Sequence, residues 1–254
     1  MSEPPGRCFV VGLDLGTTMS CAAEFHYDLD RGLEDALDLT EKDVHPIRDY
    51  EAIPRGLLKV DQTVAEIPTL LFYGEDGSVE WGYPAEKFDP SKNKKKRSEL
   101  PPGIMVVRFK SLLDDSVEPK YKEPLLKILE RAGKSEQDVL VDWFTCWLRH
   151  IKKYLRDNYQ YSDRDVIRLV FAVPVMYSAT SKMNMEKAIL TAAKRVELGK
   201  LEPIEIYSEP DAAVAFFIDY KMGRLFKVRN FVDGTYETNS HHNHIPGWRN
   251  IHPS

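Results

Sequence analysis

The segment VVGLDLGTTMS, Val10 to Ser20, sets a carboxylate, a glycine and two hydroxyls close together, as Asp14, Gly16, Thr17 and Thr18. Apolar runs lie on both sides. Phe9 to Leu15 and Met19 to Tyr27 read as strands, so the polar residues fall at the tip of a hairpin. Such a tip leaves backbone N–H groups without ladder partners, and concave sets of N–H groups bind anions, phosphates foremost. Gly16 lets a ligand approach the backbone closely, and Thr17 and Thr18 add hydroxyl donors. Asp14 would repel a phosphate unless a cation lay between them, and Mg²⁺ is held by carboxylates, waters and phosphate oxygens together. The group therefore points to a nucleotide phosphate with Mg²⁺. The plainer alternative is a tight hairpin whose aspartate caps its own turn.

The elements that must position this tip follow from the pattern along the chain. Ile67 to Tyr73 reads as a third strand and Ser78 to Gly82 as a short return strand after the turn at Glu75-Asp76-Gly77. Residues 28 to 51, rich in Asp and Glu, read as a solvated excursion, and Phe88 to Gly103 as a polar loop. In the second half, Leu140, Phe144, Trp147, Ile151 and Leu155 recur at helical spacing and predict a helix over Gln137 to Tyr159. Val166 to Val173 reads as an apolar strand ending at Pro174. Ser178 to Val196 reads as a helix, Ile204 to Tyr207 as a strand, and Pro210 to Met222 as a helix stopped by Gly223. Antiparallel strands followed by an α/β alternation imply an α/β fold: a mixed five-stranded sheet with flanking helices and a smaller inserted subdomain.

Four segments in order carry a resemblance. VVGLDLGTTMSCAAEF resembles the first phosphate loop of the heat-shock-protein-70 ATPases, in the actin-like superfamily. VVRFKSLL is similar to the segment bearing that family's catalytic lysine, which falls on Lys110. LVFAVPVMYSATSKMNMEKAILTAA resembles the strand–Pro–helix segment joining the lobes, with Pro174 at the hinge-like position. IYSEPDAAVAFFID resembles the strand–Glu-Pro–helix segment, with Glu209 on the family glutamate. The likeness covers about residues 8 to 222, and the acidic insertion and Trp81-Gly82-Tyr83 suggest a divergent, fungal-type member.

The resemblance implies an actin-like ATPase, or ribonuclease H-like, lobe that binds ATP or ADP with Mg²⁺. Residues 1–73 and 140–225 would form its core, and 74–139 the inserted subdomain. Lys110, Glu209 and Asp14 would be catalytic, Asp14 and Glu209 holding Mg²⁺ through water, while Gly16, Thr17, Thr18 and Met19 would line the phosphates. Unfolded clients or co-chaperones are the implied macromolecular partners. Family members close a second lobe over the nucleotide, opening with Asp and a glycine run. Here NFVDGTYET offers Asp233 followed by one glycine. Residues 226–254 therefore read as an irregular tail and the second lobe as absent. The expectation is a chaperone-type ATPase fragment with weak binding, little or no hydrolysis alone and an apolar exposed cleft wall. A non-catalytic interaction scaffold and a sugar-kinase-like enzyme of the same fold are the alternatives.

Composition narrows the classes. A formal net charge of −5 gives no global attraction to nucleic acid or anionic membrane. Lys92 to Arg97, KNKKKR, lacks interleaved aromatics and reads as a solvated loop. No apolar run approaches the roughly 20 residues that cross a bilayer. The polar, proline-rich start does not read as a signal peptide, and Cys8, Cys21 and Cys146 form no CxxC pair. A cytoplasmic location, or a nuclear one, is expected. AGKS at Ala132 to Ser135 mimics the end of a P-loop but lacks its first glycine. His241 to His244, HHNH, would trap metal only adventitiously.

Overall fold

The computed structural model describes residues 6–30, 43–48, 50–51, 65–89 and 101–212. The hairpin forms as the pattern requires. Strand β1 (Arg7–Asp14) runs antiparallel to β2 (Met19–Asp28), and Phe9, Val11 and Leu13 of β1 are buried. On the other side β1 pairs in parallel with β8 (Val166–Val173), and β8 pairs in parallel with β10 (Glu205–Ser208). The short strands β3 (His45–Pro46) and β4 (Glu66–Pro68) both lie antiparallel on β2, and β9 (Lys200–Leu201) lies parallel on β8. The spatial order is β10-β8-β1-β2-β3, with β4 and β9 as additions, so the mixed sheet has seven strands where five were expected.

Helix α3 (Glu136–Tyr159) and helix α4 (Ala179–Arg195) supply the core packed on this sheet. Ile167, Leu169, Phe171 and Val173 alternate inward along β8. Phe144 meets Phe171 edge-on at 5.7 Å. Trp143, Trp147 and Leu148 are fully buried, and Ala188, Ala192 and Ala193 let α4 approach closely. The α3 start is fixed by a capping box, Ser135 with Asp138.

Two sequence expectations are corrected. The stretch expected as one strand, Ile67 to Tyr73, breaks at Thr69: β4 joins the main sheet, while β5 (Leu70–Gly74) opens a second sheet, β6-β5-β7, with β6 (Val79–Trp81) and β7 (Gly103–Val107). Thr69 anchors the break, its N–H donating to Thr18 O at 2.8 Å and its hydroxyl meeting that of Ser20 at 2.7 Å. The excursion at 28–51 is not wholly solvated, since Ile47 and Tyr50 are buried and Tyr50 stacks on His150 at 4.4 Å.

The second sheet is followed by a 3₁₀ helix (Phe109–Leu113) and by helix α2 (Pro119–Arg131). Helix α1 (Gly82–Glu86) begins at Gly82, where φ is +57° and an added Cβ would strike Ile67 at 2.3 Å. The AGKS stretch is a helix–helix connection: Gly133 takes φ +63° and Ser135 caps α3. These elements belong to one compact unit that ends at Pro210. The helix expected over Pro210 to Met222, apart from its first turn, lies outside the described residues, as do KNKKKR, Asp233 and HHNH. Among the described residues no helix is long and apolar enough to cross a membrane. Cys8 is buried, and Cys21 and Cys146 are half-buried free thiols.

Candidate functional site

Three parallel strands, β1, β8 and β10, end together at one edge of the main sheet. In open α/β sheets this carboxyl edge is where ligands bind. Asp14, the last residue of β1, pairs with Ala172 of β8, and Val173 at the end of β8 pairs with Ser208 at the end of β10. Glu209 follows directly and opens a helical turn. Asp14 and Glu209, far apart in sequence, are thus brought to one edge by strand register alone.

Lys110 reaches the same edge from the 3₁₀ helix. Its neighbour Phe109 is fully buried and packs on Trp143 at 5.5 Å, which fixes the helix in place. Arg108, at φ +58°, turns the chain out of β7 and into that helix. The Lys110 Nζ donates to Glu209 Oε1 at 3.2 Å. Asp14 reaches solvent, yet burial pushes its carboxyl above the usual range. Lys110 pulls it down, while Glu209 and Glu66 push it further up. The three residues singled out from sequence therefore sit in one electrostatic neighbourhood.

The tip itself is tight. A Cβ on Gly16 would lie 1.8 Å from the Met19 carbonyl oxygen, so glycine is required there. Thr17 and Thr18 are exposed. Among the described residues no backbone carbonyl accepts from the amides of Gly16, Thr17 or Thr18. Met19 is half-buried and packs against the core, and its carbonyl lies over Gly16.

Further residues join the site that the sequence reading did not single out. Glu66 of β4 lies in register with Cys21, which itself pairs with Asp14. Asp14, Cys21 and Glu66 thus form one row on one sheet face, the two carboxylates about 10 Å apart by backbone spacing. Period-2 parity could have found Glu66 only once the register was known. Tyr177, three residues after Pro174, is buried and donates its hydroxyl to Lys110 O at 3.3 Å. Burial, with Asp114 and Glu209 nearby, drives its phenol far above the ordinary value. Asp115 accepts from the hydroxyls of Ser178 and Ser181, the latter at 2.9 Å, tying the Lys110 segment to the start of α4. Those hydroxyls hold the exposed Asp115 carboxyl below its usual range.

Among the described residues two shallow concavities lie away from this edge, one along α4 at Met183 and Leu190, the other around Arg7 and Asp165 at the opposite end of β1. Val175 and Met176, beside Pro174, are 62% and 67% exposed, an apolar surface next to the site. Among the described residues no three His, Cys, Asp or Glu side chains gather as a metal-ligand group. The donor set at the edge is instead a few hard carboxylate oxygens that repel one another. Carboxylate oxygens are the ligand type that a hard cation such as Mg²⁺ takes, one or two at a time with its waters kept. No family model matches this chain, and no curated protein matches it with significance.

Proposed function

We propose that the chain binds the phosphates of a nucleotide, ATP or ADP, together with Mg²⁺ at the carboxyl edge of its main sheet, as an actin-like, heat-shock-70-like ATPase lobe. The observation that carries this reading is the convergence of Asp14, Lys110 and Glu209 beside a glycine-dependent tip whose amides, among the described residues, donate to no backbone carbonyl. The strand order, with three antiparallel strands opening and two parallel strands added beside β1, supports the same reading.

In this reading the amides of Gly16 to Thr18 and the Thr17 and Thr18 hydroxyls donate to the phosphate oxygens. Asp14 and Glu209 would hold Mg²⁺ through water, and the ion, when bound, offsets phosphate charge. The Lys110 ammonium leaves Glu209 for the terminal phosphate, adding charge stabilisation at the same place. Turnover by this chain alone is expected to be negligible. A triphosphate on an open edge stays hydrated and its interactions are screened, and phosphoryl transfer depends almost wholly on positioning and electrostatics.

Isothermal titration with ATP and ADP, with and without Mg²⁺, tests the reading. Weak, Mg²⁺-dependent heat that disappears in Asp14→Asn supports it. Absence of heat at millimolar nucleotide, with the protein folded, overturns it and leaves the scaffold alternative.

A further inference from the structure

We propose that the outer face of α4 is a docking surface for an acidic amphipathic helix of a partner protein. The inner face of α4 is committed to the core through Met185, Ala188, Ile189, Ala192 and Ala193. On the outer face Met183 and Leu190, seven residues apart and so on one stripe, are 67% and 39% exposed. They border a shallow depression of about 310 Å³ lined also by Lys187 and Lys194, by Thr191 and by the acid Glu186. Met176, also 67% exposed, lies just ahead of the helix. Methionine is unbranched and soft, and such side chains adapt to an incoming apolar surface.

Charge selects the occupant. The chain as a whole carries −5, yet α4 holds Lys182, Lys187 and Lys194 against the single acid Glu186, while its last residue, Arg195, is paired with Asp142 of α3. Lys187 and Lys194 are exposed and stand one helical step beyond Met183 and Leu190 respectively. Lysines therefore alternate with apolar residues along one stripe, at 183, 187, 190 and 194. Its complement is a helix with apolar anchors at i, i+4 and i+7 and carboxylates beside them. A nucleic acid would use the lysines and leave Met183 and Leu190 unused. Met183, Lys187, Leu190 and Lys194 are not residues of the candidate nucleotide site, so this surface does not depend on the nucleotide reading.

The test is fluorescence anisotropy with a labelled synthetic helix of about 18 residues, long enough to hold helical structure. It carries leucines at i, i+4, i+7 and i+11 and glutamates on one flank. A counterpart with lysines in place of the glutamates is the control. The acidic peptide is expected to bind, more weakly as salt rises. Lys187→Glu/Lys194→Glu and Met183→Asp/Leu190→Asp should each weaken it about tenfold or more, and the charge-reversed protein should prefer the basic peptide. All four positions are on the surface, so the variants keep the fold, which thermal melts check. Equal affinity for the two peptides, or indifference to both double substitutions, overturns the proposal. So does sedimentation velocity showing a wild-type dimer that Met183→Asp/Leu190→Asp dissolves, because the occupant would then be a second copy of this chain.

Discussion

At the scale of single residues the tip is governed by close approach. Gly16 has no room for a Cβ, which would meet the Met19 carbonyl at 1.8 Å, whereas a Cβ on Gly12 would meet only the Ala23 carbonyl at 3.9 Å. Gly16→Ala must therefore shift backbone at the hairpin tip and is expected to cost about 1–3 kcal/mol, while Gly12→Ala stays within about 0.5 kcal/mol. Urea denaturation of the two variants checks the contrast. Lys110 and Glu209 give a second residue-scale expectation. Their ion pair is 14% and 45% exposed at the side chains, so it adds little to stability, at most about 1 kcal/mol. Lys110→Met should leave the denaturation midpoint nearly unchanged yet abolish Mg²⁺-dependent nucleotide heat. A large loss of stability would make the pair structural. Asp14 was singled out from the make-up of its own segment, and Lys110 and Glu209 only through the resemblance of the segments that carry them; that the three share one edge is a matter of the fold. Glu66, Tyr177 and Asp115 were not singled out, because what joins them to the site is strand register and a side-chain contact across 66 or 67 residues.

At the scale of elements, the long helix was the clearest feature and the small sheet the least clear. Helix α3 was expected from Gln137 and is observed from Glu136, since five large apolar residues at helical spacing admit no other period. Its start depends on Ser135, whose hydroxyl accepts from Asp138 N–H while the Asp138 carboxylate accepts from Ser135 N–H at 2.9 Å. Ser135→Ala should therefore cost about 1 kcal/mol, read as a lowered denaturation midpoint with an unchanged slope. Trp147→Ala, which empties a fully buried site, should cost about 3–5 kcal/mol in the same assay. By contrast, Ile67 to Tyr73 presented one apolar run, and no periodicity within it marks the switch between sheets. The break at Thr69 is made by hydrogen bonds to Thr18 and Ser20, about fifty residues away, which local propensity does not encode. Strand β7 and helix α2 were hidden for a related reason. The first is half exposed, and the second buries only Leu129 and carries Pro124, so neither shows a strong apolar face.

At the scale of the whole molecule, the end of the sheet opposite the proposed site is closed by a single carboxylate. Asp165 is almost fully buried and accepts from the backbone N–H of Arg7 at 2.9 Å, from that of Ser162 at 2.7 Å, and from the Arg7 guanidinium. It thereby joins the start of β1 to the turn that leads into β8, the two strands at the centre of the fold. Burial alone would push this carboxyl up, but the amides and the Arg7 charge outweigh it and hold it below the usual range. The linkage has a definite sign. Because the folded-state pKa lies below the unfolded one, near 3.9, the unfolded chain binds more protons between the two values. The stabilisation is then fully present above that unfolded value and is lost as pH falls through the lower, folded one. Asp165→Asn removes this contribution and leaves the amide of Arg7 or Ser162 poorly matched, at a cost of about 1–3 kcal/mol at neutral pH. Denaturation midpoints measured from pH 7 down to pH 3 should fall less steeply in the variant than in wild type over the acid limb. Parallel curves displaced by a constant amount would mean that Asp165 contributes packing alone and that the acid sensitivity of the fold resides elsewhere.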